Sequence, residues 1–194
     1  MVASVVRTRP RAGSCEIAVG GPDFSFRKRL DGGYTITQRC ALDAPLTLDH
    51  ALIGARYLTT LRQQYKLLRL KFGRDFLEDL LLPRRWSATG ISPFERARIK
   101  DPVTNMALNT EAMRNLVRAW PEFGQARIME CWAGMMDITP DSLPVIGPVE
   151  TLPGLTLATG FSGHGFGTSP AAGQLAADLV MATTPIVDPT PYRL

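Results

Sequence analysis

The sequence is short of the side chains that most often carry chemistry. It has three cysteines, Cys15, Cys40 and Cys131, widely spaced and without a Cys-x-x-Cys pair. An odd, scattered set does not make a disulfide framework. It has only two histidines, His50 and His164. A zinc centre needs four close nitrogen or sulfur ligands, so no metal site is expected. Long apolar runs are missing too. A bilayer helix needs about 20 apolar residues, and the richest stretch here, Phe76 to Leu82, is interrupted by Glu78 and Asp79. Neither a membrane span nor a membrane partner is expected. The first residues, Met1 to Arg7, lack the apolar core and cleavage pattern of a secretion signal. A soluble, cytoplasmic protein is therefore expected. Disorder is excluded, because 45% of the 194 residues are hydrophobic and only 21% charged, enough apolar surface to offset chain ordering.

Charge is distributed unevenly. Residues 1–100 carry 18 Lys and Arg against 9 Asp and Glu, whereas residues 101–194 carry 4 against 9. Such a basic half can mark a nucleic-acid face, an acidic partner, an anionic ligand or a solvated surface. The basic residues are not interleaved with stacking aromatics, so nucleic acid is not an expected partner.

The first two thirds read as an α+β unit. Glu16 to Gly21 is a strand closed by Gly-Gly-Pro, and Phe24 to Leu30 alternates apolar and polar residues as a half-buried strand does. Asp31-Gly-Gly signals a hairpin turn, and Tyr34 to Arg39 alternates again, which predicts an antiparallel meander. Leu58, Leu61, Tyr65, Leu68 and Phe72 recur at helical spacing, with Arg62, Lys66 and Arg69 on another face. They predict a long helix opened by Thr47 or Asp49 and ended by Gly73. Its basic stripe is a docking surface or a solvated face. Pro83 to Pro102 looks irregular. A second helix is expected over Thr110–Trp120, with Asn109 as its cap, Met113, Leu116, Val117 and Trp120 as its buried stripe, and Pro121 as its stop.

The last third changes character. Strands are expected at Arg127–Trp132 and Leu155–Thr159. The second leads into Gly160-Phe-Ser-Gly-His-Gly-Phe-Gly-Thr-Ser-Pro170 and then a helix through Met181. Ser169 is its expected cap and Pro170 its first residue, with Ala172, Leu175, Ala176, Leu179 and Val180 as the apolar face. A strand, a glycine-rich loop and a helix start can cradle an anionic or flat group. Gly160, Gly163, Gly165 and Gly167 let the backbone come close, and the helix start presents free N–H groups. The same pattern also serves as a plain structural turn. It is neither a Walker A loop nor a GxGxxG fingerprint. Ser162 and His164 do not form a hydrolase elbow, since G-x-S-x-G fails at His164.

Four blocks give the segment an affiliation: Trp132-Ala-Gly-Met-Met-Asp-Ile-Thr-Pro-Asp, Leu143-Pro-Val-Ile-Gly-Pro, Pro153-Gly-Leu and Gly160-Phe-Ser-Gly-His-Gly-Phe-Gly. In this order and spacing they resemble the C-terminal part of the FAD-dependent amine and amino-acid oxidoreductases, a family that includes D-amino-acid oxidase, glycine oxidase and the sarcosine oxidases. The resemblance implies a substrate-binding-like α+β domain with an antiparallel sheet over residues 1–130. Residues 131–194 would be a flavin-contacting segment of a partial α/β FAD-binding domain. It implies that Gly163, His164, Gly165, Phe166, Gly167 and Thr168 pass beside the flavin ring, and that Gly134, Met135 and Met136 lie over it, with Met136 also on the substrate side. His164 would shape the loop. No residue is implied as a catalytic acid, base or nucleophile.

The chain also departs from that family. Relatives open with a Rossmann unit carrying GxGxxG, which holds the FAD pyrophosphate, and this sequence has none. The expectation is a chain that begins past the mid-length of its relatives and does not retain FAD by itself. A Rossmann-bearing partner, fused or separate, would complete the site, or the chain is an inactive fragment or interaction subunit. Glycine oxidase-like members carry an Arg where Met136 stands, and monomeric sarcosine oxidases a Lys where Gly167 stands. The Cys that bonds flavin in some members aligns with Gly134, not Cys131, so binding is expected to be non-covalent. The implied reaction is oxidation of a C–H bond beside an amine to an imine.

Overall fold

In Val2-Ala-Ser-Val-Val-Arg-Thr every second residue, Val2, Ser4, Val6 and Thr8, is a valine or a small hydroxyl residue, and this row builds the centre of the sheet. The computed structural model describes residues 1–12, 15–39, 41–48, 50, 68–139 and 141–194. In it, β1 (Val2–Thr8) turns Val2, Ser4, Val6 and Thr8 inward, as the two-residue period of a strand requires. The two polar members are satisfied there. Ser4 Oγ accepts the Asn105 N–H at 2.9 Å, and Thr8 Oγ1 accepts the Tyr34 N–H at 2.9 Å. The sequence reading did not identify β1 as a strand.

The chain divides into two compact units, Met1–Met135 and Met136–Leu194. In the first, the expected meander forms from β2 (Val19–Gly20), β3 (Ser25–Lys28) and β4 (Tyr34–Thr37), all antiparallel. The Asp31-Gly-Gly turn places Gly32 at φ +81°, a conformation glycine adopts without steric cost. With β5 (Leu42–Pro45), β6 (Leu68–Lys71) and β7 (Ile128–Met135), the sheet runs β2-β3-β4-β1-β5-β6, and β7 pairs antiparallel along β1.

One expectation is overturned at β6. Leu68–Lys71 is a strand parallel to β5, in register from Leu42↔Leu68 to Pro45↔Lys71, and not the end of a helix. Leu68 and Leu70 fit a period of two, whereas Leu68 and Phe72 fit a helical one. The ladder with β5 decides between them, and Lys71 Nζ adds an ion pair to the buried carboxylate of Asp43 at 2.8 Å. Phe72 is exposed rather than part of an apolar helix face. The remainder of the expected helix, with Leu58, Leu61, Arg62, Tyr65 and Lys66, lies outside the described residues, as does Asp49.

Helix α1 (Arg74–Leu81) follows, and α2 (Pro93–Arg96) is a single turn closed by a Ser92–Glu95 capping box within the Pro83–Pro102 stretch. Helix α3 (Met106–Ala119) starts earlier than expected. Asn105, not Asn109, caps it by accepting the Ala107 and Leu108 N–H groups. Asn109 is buried inside the helix, and its Nδ2 donates to the Val5 carbonyl at 3.4 Å. Leu116 reaches the core beside Ala112, Val6, Phe26, Tyr34 and Ile36, with Met113, Val117 and Trp120 packed against that cluster. Pro121 ends α3 by opening a 3₁₀ turn, Pro121–Gln125, that delivers Phe123 to within 5.0 Å of the Phe26 and Tyr34 rings.

The second unit is smaller. β8 (Val145–Pro148) and β9 (Thr156–Thr159) form an antiparallel pair, and α4 (Gly165–Met181) packs on it. Its core is Ile146, Ala172 and Leu175, flanked by Phe161, Ala176, Leu179 and Tyr192. Val180, expected on the apolar face, is exposed instead. Among the described residues no helix is long and apolar enough to cross a membrane, and no cluster of His, Cys, Asp or Glu is arranged to hold a metal.

Candidate functional site

The glycine-rich segment is folded by the residues just after Met136. Ile138 forms an isolated antiparallel bridge with Phe161. Around it, the Asp137 carbonyl accepts the Ser162 N–H at 2.9 Å, and the Thr139 N–H donates to Ser162 Oγ at 3.1 Å. The Asp137 carboxylate accepts the Gly160 N–H at 2.8 Å and the Thr159 hydroxyl at 2.7 Å. The chain between them reverses sharply, with φ of +71° at Gly160, +51° at Ser162 and +81° at Gly163. A Cβ on Gly160 would stand 2.5 Å from Thr139 Cγ2, so glycine is required there for space as well as for φ.

That reversal delivers the start of α4. The helix begins at Gly165, four residues before the expected cap Ser169, with His164 as the residue before it. The His164 carbonyl accepts both the N–H and the hydroxyl of Thr168, at 3.2 and 3.0 Å. Pro170 therefore lies inside the helix, where it has no N–H for the Phe166 carbonyl. The Ser169 hydroxyl donates to that carbonyl instead, at 3.1 Å, which explains how the helix extends through a proline. The N–H groups of Gly165, Phe166 and Gly167 find no acceptor among the described residues. They form the positive end of the α4 dipole.

The expected site residues fall into two groups. Met136, Gly163, His164, Gly165, Phe166, Gly167 and Thr168 all belong to the second unit. Met136 Sδ lies 3.3 Å from the position a Gly163 Cβ would take, so this thioether covers the loop directly. Phe166 is fully exposed, and a Cβ at Gly167 would meet nothing within 4 Å. Gly134 and Met135 belong to the first unit, at the end of β7, opposite Ala3 and Val2. Gly134 likewise has open space at its Cβ position, and Met135 is exposed. Ser162 Oγ is held by Thr139 and the Gly160 carbonyl, and the His164 ring makes no hydrogen bond among the described residues. Ser162 Oγ and the His164 ring are not hydrogen-bonded to each other. The sequence reading missed Asp137, Thr139 and Thr159, although Asp137 and Thr139 stand in one of the quoted blocks.

An open helix start with free amides, and open space at the Gly167 Cβ position, suits a flat ligand edge that carries negative charge. Comparison with known proteins identifies the class to which this arrangement belongs. Residues 3–179 match the family described as FAD dependent oxidoreductase, and the chain belongs to that family. FAD is the family's cofactor, and the mixed α+β unit with its largely antiparallel sheet is the corresponding fold.

Particular relatives are known from sequence and from structure. Over 135 residues the chain is 33% identical to glycine oxidase of Pseudomonas putida, a match covering 66% of this chain and 37% of that protein. The L-amino acid deaminase of Proteus myxofaciens, solved in complex with anthranilate, superposes with a TM-score of 0.91 at 28% identity, over 100% of this chain and 43% of that one. The L-amino acid deaminase of Proteus vulgaris gives 0.90 at 25% identity, over 99% and 44%. The chain spans less than half the length of each of these relatives.

Proposed function

We propose that these residues form the substrate side and the flavin-edge loop of an oxidoreductase that converts a C–H bond beside an amine into an imine. The observation that carries the reading is the open start of α4, with the amides of Gly165, Phe166 and Gly167 unpaired among the described residues. Bound FAD supplies the hydride acceptor for this class of reaction. The chain supplies electrostatics and position. The three amides and the α4 dipole would stabilise negative charge at the edge of a bound flavin ring. Glycine at 167, with open space at its Cβ position, keeps a side chain out of the ring's approach, and glycine at 163 and 165 lets the backbone pack closely on Met136 and Phe161. His164 and Thr168 would hold the loop's shape, and Met136, in the same unit, would lie over the ring. The site holds FAD without a covalent bond. The pyrophosphate is bound by a Rossmann-type segment, fused or separate, and these 194 residues alone do not retain the cofactor.

Met136 narrows the substrate. A thioether offers no partner for a carboxylate at the position where glycine oxidase-like relatives place an Arg, so the reading favours a secondary or tertiary amine with an apolar substituent over a simple amino acid. The Pseudomonas putida and Proteus relatives bear names that point to amino acids, and they set the wider class. The reading assigns no general base to the loop and takes the amine to react in its neutral form.

The experiment uses the protein joined to its flavin-binding half. Flavin content is read from the absorbance spectrum, and oxidation is followed over a panel of amines and amino acids. The expected result is one flavin per chain, with oxidation of secondary or tertiary amines. His164→Ala should keep the flavin and lose less than about tenfold in rate, because backbone amides carry the electrostatic effect. A completed protein that bound no flavin, or that lost its flavin with the imidazole, would overturn the reading.

A further inference from the structure

The loop that presents these amides is conformationally costly. Three of its four residues from Gly160 to Gly163 have positive φ, and one of them, Ser162, is not glycine. An L-residue reaches that region only when its surroundings hold it there. We infer that Asp137 is the positioning residue that holds it, an inference that rests on the flavin-edge reading for its functional meaning.

Asp137 touches the opposite segment at three points. Its carboxylate accepts from the Thr159 hydroxyl and the Gly160 N–H at 2.7 and 2.8 Å, and its carbonyl accepts from the Ser162 N–H at 2.9 Å. A single residue thus grips the last residue of β9, the first left-handed position and the second. The two bonds to the carboxylate are charge-assisted, the stronger kind. Thr139 acts from the neighbouring position but by neutral groups, through Ser162 Oγ and the Leu143 carbonyl. Without the carboxylate, Gly160 N–H loses its acceptor, and the reversal that aims α4 is left to the Asp137 carbonyl and to the neutral bonds of Thr139 and Ser162. Asp137 meets no reacting atom in this arrangement. It acts through Gly160 to Gly163.

The test is hydrogen exchange at individual amides of the 194-residue chain, comparing the parent with Asp137→Ala and Asp137→Asn. Asp137→Ala should speed exchange at Gly160 and Ser162 at least fivefold. Asp137→Asn retains an acceptor oxygen and should stay within about twofold of the parent. Leu175 amide exchange, in the α4–β8 core, serves as the folding control and should not change. Thr159→Val removes one partner while leaving the carboxylate, and should give a smaller effect than Asp137→Ala at Gly160. If Asp137→Ala left Gly160 and Ser162 protected, or if Leu175 and the loop loosened together in both Asp137 variants, the inference would be overturned. A separate measurement addresses the functional reading. In the flavin-loaded full protein, Asp137→Ala should shift the flavin reduction potential while Asp137→Asn largely restores it. Loosening of the loop with an unshifted potential would leave Asp137 as the loop's positioning residue and sink the flavin-edge reading instead.

Discussion

Single carboxylates anchor turns of this chain by accepting backbone N–H groups. Asp31 does so in the β3–β4 turn. Its carboxyl is held down to about 2, first by the Gly33 N–H and then by the Arg7 and Arg29 guanidiniums. Arg7 Nη2 lies 2.6 Å from it. A carboxyl lowered on folding contributes stability that is fully present above its ordinary value near 4 and is lost as pH falls through about 2. Asp31→Asn keeps an acceptor for Gly33 but not the charge. The urea midpoint of the parent should exceed that of Asp31→Asn at pH 6, and the gap should close as pH approaches 2. A gap independent of pH would mean that the ionised form is not favoured by folding.

Elements are set by contacts between neighbours more than by their own propensities. Helix α3 illustrates this at its start. Asn105 and Asn109 are both sound cap residues by chemistry, and the local pattern does not separate them. Tertiary contacts do. Asn109 is buried against β1, while Asn105 reaches Asp43 with its Nδ2, at 2.8 and 3.0 Å to the two carboxylate oxygens. Asn105→Ala removes both a cap and a partner of a buried charge. A cap is worth about 0.5–2 kcal/mol, and a buried polar group left unpaired costs about 1–3 kcal/mol. With Lys71 still paired to Asp43, the expected loss is about 2–3 kcal/mol by denaturant unfolding. A loss under about 0.5 kcal/mol, as at an ordinary surface site, would show that neither role operates. The same principle explains β6. Leu68 to Lys71 reads equally as helix or strand, and the partner strand β5 settles the matter.

The whole molecule consists of two units, each with its own core, one formed by the sheet and α3 and the other by β8, β9 and α4. The apolar face of α4 is not bare, because Ile146, Phe161 and Tyr192 pack with Ala172 and Leu175. The second unit therefore has internal contacts that can order the loop without a ligand. A helix start is only part of a dinucleotide site, since it offers no grip on the pyrophosphate or the adenine. The 194-residue chain by itself should purify colourless, and it should acquire no stoichiometric flavin spectrum when mixed with FAD. A yellow one-to-one complex would show that the open edge of α4 holds the cofactor alone, and would remove the role given to a Rossmann-type segment.

The sequence by itself determined the family, the meander of β2 to β4, the body of α3 and the strand–loop–helix run from Leu155 to Met181. These depend on short-range chemistry: a two-residue period, Gly at a turn, a buried stripe at helical spacing, and a glycine-rich block of fixed order. Tertiary structure alone decided three other matters. It made β1 the centre of the sheet, because a strand flanked by β4, β5 and β7 owes its place to partners distant in sequence. It moved the start of α4 back to Gly165, because the Asp137–Thr139 segment orients the loop before Ser169 can cap it. It also gave Asp137 its importance. A lone aspartate has no legible partner until folding brings Thr159, Gly160 and Ser162 within hydrogen-bonding distance of it.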